Sequence, residues 1–204
     1  MDGIAKPAMS VRQSVNGRLA RVITQVSGPA ILVVIGLVLV AARNAGHGAG
    51  AAWGGVAILL CAVVPMAYVA RGVRAGKWSD HHVPRREQRA VPLLVAATSI
   101  AVAAVLLAAV HAPAQLISLV LAQLAGLIIV IVVTIFWKVS IHAATAGGLL
   151  GVLAILYGPW ALLGTAFVLL IGWSRTVLDA HSWPQVIVGA ALGFTVSVVL
   201  FPIL

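Results

Sequence analysis

The sequence predicts an all-α fold: a polytopic membrane helix bundle of about seven spans (six to seven), with its chemistry at one membrane face. Three observations predict it. Apolar residues make up 62% of the chain and charged residues only 8%, with a mean hydropathy of +1.14. In 204 residues that composition leaves too little polar surface to cover a water-soluble domain. The apolar residues also fall into runs near the length of about 20 residues that crosses a hydrocarbon core. Finally, the charges collect in the joints between those runs.

In chain order, residues 10–24 read as a short basic amphipathic segment. Val11, Val15, Leu19 and Val22 recur at helical spacing with arginines on the other side, a pattern that lies at a membrane interface. Residues 1–24 are thus set apart from a membrane-embedded helical domain over 25–204. Lys6, Arg12, Arg18 and Arg21 precede an apolar run too long for a signal-peptide core, so the first helix is expected to stay in the membrane. Spans are expected at 25–42 and 51–70, then at 91–111 and 115–136 after the one long polar loop. The stretch 142–173 exceeds one span, and Gly158-Pro159 breaks it, because proline lacks a donor and glycine ends helices. It reads as two short spans meeting at a tight turn, followed by a last span at 184–204.

Parity then orients the bundle. With seven spans, loops 71–90, 137–143 and 174–183 share the side of the N-terminus, and of the 13 Lys and Arg residues only Arg43 lies opposite. Trp78, Trp137, Trp173 and Trp183 mark the same interface, and Trp53 and Trp160 the other. Basic loops of this kind are retained in the cytoplasm.

Charge and cysteine usage narrow the function. Lys and Arg outnumber Asp and Glu by 13 to 4, which suits anionic membrane lipid or a phosphorylated lipid substrate. Nucleic acid is set aside, since no soluble module exists to present a basic patch. A lone cysteine, Cys61, excludes a disulfide framework and a zinc knuckle. The run Asp80-His81-His82 lacks helical ligand spacing, so no metal site and no cofactor are expected. His47 and His111 read as interface residues at span ends.

The same-side loops hold the candidate chemistry. Ser140 and His142 follow Lys138; Ser174, Arg175, Asp179, His181 and Gln185 follow the sixth span; His82, Arg86 and Arg89 stand at i, i+4 and i+7 ahead of the third. Arginine presents a fork of donors that matches phosphate oxygens. The segment VSIH at 139–142 is similar to the Pro-Ser-Gly-His motif of the type 2 phosphatidic acid phosphatase superfamily, which includes the vanadium haloperoxidases. SRTVLDAHSWPQ at 174–185 resembles that family's Ser-Arg-x5-His-x3-Asp motif, and HVPRREQRA at 82–90 has the spacing of its Lys-x6-Arg-Pro motif. The order of the three agrees with the family's. His82 stands in place of Lys, Ala90 of Pro, Val139 and Ile141 of Pro and Gly, and Gln185 of Asp.

The resemblance implies metal-independent hydrolysis of a lipid phosphate or polyprenyl (di)phosphate. His181 would attack phosphorus and form a phosphohistidine. His142 would protonate the leaving group and then activate water. Arg89 and Arg175 would hold the equatorial oxygens, with Ser140, His82 and Arg86, and Gln185 would orient His181. The alternative is a catalytically degenerate membrane protein that binds anionic or phosphorylated lipids.

Overall fold

Glycine and proline cut the apolar sequence into helices. The computed structural model describes residues 15–44, 50–76 and 90–203, and every regular element among them is helical. Helix α1 (Val15–Val26) ends at Ser27-Gly28, and Pro29, whose fixed φ suits a first helical turn, begins α2 (Pro29–Arg43). The two helices meet at 44°. Helix α3 (Gly50–Arg74) is followed by α4 (Ala90–Ala109), α5 (Ala114–Phe136) and α6 (Ile141–Tyr157). Gly158, at φ 78°, then turns the chain into α7 (Pro159–Val177), whose first 6 residues are 3₁₀ helix, and α8 (Trp183–Leu200) closes the bundle.

Five of these helices are long and apolar enough to cross a membrane, and six are if the bent α1–α2 pair makes one span. The chain is a helical membrane protein on this count. A seventh crossing would need α6, which at 17 residues is shorter than the usual span of about 20. The ends of α2 to α8 lie within four residues of those expected. The N-terminal segment is helical over its described part, from Val15. It runs on to Val26, and its Gly17, Ala20, Ile23 and Thr24 are buried as α1 packs on α7. Val15, Leu19, Val22 and Val26 face outward.

Helix α3 shows how apolar surroundings force backbone bookkeeping. Leu59–Val63 form a π turn in which Val64 N–H reaches Leu59 O. Pro65 has no donor for the next carbonyl in that pattern, Leu60 O, and the Ser99 hydroxyl of α4 donates to it at 2.6 Å. In hydrocarbon such a freed carbonyl must find its partner within the protein.

The tightest packing joins α6 to α8. Gly147 and Gly151 on α6 lie against Ala190 and Phe194 of α8, and Gly189 and Gly193 on α8 lie against Ser140 and Ala144, each glycine pair four residues apart and so on one helix face. A Cβ at Gly193 would collide with the Ala144 carbonyl, and one at Gly147 with the Ala190 carbonyl. A Cβ at Gly189 would lie 2.6 Å from Ser140 O. At the far end of the bundle Leu37, Val40, Leu107, Leu116 and Val120 make a buried cluster, and the Arg43 guanidinium lies 5.4 Å from the Tyr157 ring centroid.

Candidate active site

Two helix starts and one helix end meet on the motif side of the α6–α8 seam. Ser140 is the N-cap of α6: its side chain accepts from Ala143 N–H at 3.3 Å, and the residue is fully buried. His142 follows in the first turn of α6 and is 6% exposed. Ser140 N–H donates to Gln185 O at 3.1 Å, so the backbone ties the second motif directly to the third.

The third motif is shaped by the way α7 stops. Asp179 takes a left-handed conformation at φ 51°. Asp179 N–H bonds Thr176 O at 3.0 Å and Ala180 N–H bonds Arg175 O at 3.0 Å, the paired pattern that commonly closes a helix. Asp179 is exposed, and its place in the motif is to turn the chain. That turn carries His181 back over α7, where its N–H reaches Arg175 O at 3.2 Å.

Ser182 and Gln185 then form a capping box at the start of α8. Gln185 Oε1 accepts from Ser182 N–H at 3.2 Å and lies 3.1 Å from His181 Nδ1. A backbone N–H can only meet the oxygen of an amide, which fixes the orientation of the Gln185 side chain. Facing an acceptor, His181 Nδ1 carries the proton of this bond.

Arg175 is 7% exposed and is tied to α1. Its Nη1 donates to Thr24 Oγ1 at 3.3 Å. Thr24 Oγ1 lies 3.1 Å from Ser174 Oγ, and Ser174 Oγ donates to Ile171 O at 2.7 Å. A hydroxyl has one proton to give, so the chain of bonds runs from Arg175 through Thr24 and Ser174 to Ile171.

His142, Arg175 and His181 share the wall of a cavity of about 560 Å³. Beyond that polar end the walls are mostly apolar, built from α2 to α6 and α8. Ile31 of α2 and Met66 of α3 line it while being 43% and 40% exposed, so it also opens sideways between those helices. The thiol of Cys61 is buried on this wall.

Of the residues expected from sequence, the structure gathers His142, Arg175 and His181 at the cavity. Gln185 stands behind His181, and Ser140 is held through its backbone to Gln185. His82, Arg86 and Arg89 lie outside the described residues, as do Trp78, Asp80 and His47. His111 is exposed and closes α4 in a left-handed conformation at φ 54°. Sequence reading missed Thr24, whose signal was a hydroxyl on the small-residue face of α1. It also missed the Gly147/Gly151 and Gly189/Gly193 pairs, a spacing that marks close helix contact. No protein family, no curated protein and no solved structure matches the chain.

Proposed function

We propose that the protein is a metal-independent phosphatase of membrane lipid phosphates or polyprenyl (di)phosphates, acting through a phosphohistidine. One observation carries the reading: His181 Nδ1 is held by Gln185 Oε1 at a cavity it shares with His142 and Arg175. The Nε2 lone pair of His181 attacks phosphorus while the bond to the lipid oxygen breaks. His142 gives that oxygen a proton, then takes one from the water that cleaves the N–P bond and releases phosphate. Arg175 offsets the charge spread over the transferring group, with Arg89, Arg86 and His82 as the further donors that the motif resemblance supplies.

The test is phosphate release from a panel of lipid phosphates by purified protein with chelator present. Turnover is expected, vanadate is expected to compete with substrate, and EDTA to have no effect. His181→Ala should abolish release at unchanged expression and thermal stability. Substantial turnover by that variant would overturn the phosphohistidine step.

A second reading, a lipid-phosphate binder without turnover, has its own support. Ser140 and Gln185 each serve as a helix cap, a role that would keep them in place with no chemistry to do. Binding of the same lipids with no phosphate release would establish it.

The site is assigned to the cytoplasmic face of the plasma (inner) membrane. Support comes from counting α2 and each of the six later helices as crossings, together with the four N-terminal cations Lys6, Arg12, Arg18 and Arg21 against Arg43 alone. In a background lacking Cys61, an impermeant thiol reagent should label His47→Cys in intact cells and spare Asp2→Cys and His81→Cys. Labelling of His81→Cys alone would move the site to the exterior.

A further inference from the structure

The cavity reaches far deeper than a phosphate group needs. On α5 its wall runs from Val130 to Leu119, eleven residues or about 16 Å at the helical rise. That is close to half the hydrocarbon thickness of about 30 Å. Its volume of about 560 Å³ falls in the range of roughly 300–1,000 Å³ typical of ligand sites. One end carries a guanidinium and two imidazoles, and the rest is lined by side chains such as Leu93, Ile100 and Leu127.

A few polar side chains, Gln25, Thr145, Ser197 and Gln123, interrupt that apolar pattern. Gln123 lines the cavity from α5, and its Oε1 is buried with no hydrogen-bond partner among the described residues. An unpaired amide oxygen at this depth is unfavourable in the protein alone. It is seven residues from Val130, about 10 Å toward the membrane centre.

We propose that this chamber holds, inside the bundle, the hydrocarbon chain of an amphiphile with an anionic head. The chain carries a hydrogen-bond donor, a hydroxyl or amide N–H, part-way along its length, and Gln123 Oε1 accepts from it. The head-group end rests on the reading of the polar mouth given above. The chain site does not, because walls and amide are there whether or not phosphorus is cleaved. The side opening between Ile31 and Met66 lets the chain slide in from the bilayer without leaving apolar surroundings.

The test uses His181→Ala protein in nanodiscs, so that binding is read apart from turnover. A hexadecyl phosphate with a mid-chain diazirine should label chamber residues such as Cys61, Ala122 and Gly126. Labels confined to outward-facing Val105 and Ile135 would overturn the proposal. Mid-chain-hydroxylated hexadecyl phosphate should bind about fivefold more tightly than the plain chain, the size of one neutral hydrogen bond. Gln123→Leu should bring that ratio to about one. Equal affinities in the protein with Gln123 intact would remove Gln123 from the site. Chamber labelling with no phosphate release by the wild type would defeat the hydrolase reading and leave this one standing. Release with labels only on the outer surface would do the reverse.

Discussion

The α6–α8 seam and the α2–α3 side of the bundle are built on opposite principles. In the seam, backbone lies on backbone, with no side chain at Gly147, Gly189 or Gly193 to keep the helices apart. Across the bundle, α2 and α3 meet near their far ends, while Ile31 and Met66 flank an open cavity toward the motif end. The seam holds the groups that the proposed chemistry would need at a fixed separation: His142 from one helix, and the turn bearing His181 from the start of the other. The looser side holds the volume. The candidate site is therefore close-packed beside His142 and His181 and roomy along the cavity.

The seam offers the harshest way to break this contrast. Gly193→Leu drives a side chain into the Ala144 carbonyl, and overpacking that cannot relax costs about 3 kcal/mol or more. Loss of the folded protein, read as a collapse of thermal stability in detergent, is expected. A normal midpoint would mean that the helices are not in backbone contact.

Gln185→Asp sharpens the contrast at the chemistry itself. A carboxylate facing His181 makes a charge-assisted bond worth about 2 kcal/mol and also suits the first turn of a helix. Phosphate release should be kept or raised. A fall in rate with unchanged stability would show that the amide does more than orient the ring.

On the looser side, Ser99→Ala strips Leu60 O of its donor, and a buried carbonyl so orphaned costs about 1–3 kcal/mol. A lowered midpoint in SDS titration is expected, with activity near normal at low temperature. The smallest effect belongs to Gly55, where an added Cβ meets nothing within 4 Å. Gly55→Ala in mid-helix should stabilise by about 0.5 kcal/mol, a rise that the same titration can resolve.

Helix positions were legible in the sequence because hydropathy and proline act locally. Gly158-Pro159 marked the end of α6 to the residue, and apolar runs set the others. Which face of a helix touches which neighbour is another matter, since most faces of these helices are apolar. The π turn and the Ser99 bond to Leu60 follow from Pro65 only once α4 is known to lie alongside. The Gly-x3-Gly spacings were visible as pairs, but their partners were not. At the site, it was the motif resemblance that brought out His142, Arg175, His181 and Gln185. It could not show that Gln185 also caps a helix, or that a hydroxyl 151 residues before Arg175 would accept its hydrogen bond.

The glycine seam also sets the order in which the site comes into being. Membrane helices can insert one by one and dock afterwards. Helix α6 enters with His142 well before α8 is synthesised, and its bare glycine face rests against lipid until then. Docking of α8 is the event that brings Gln185 to Ser140 and His181 to the shared cavity. Before it His142 and His181 stand on separate elements, so the last step of assembly is also the one that completes the candidate site.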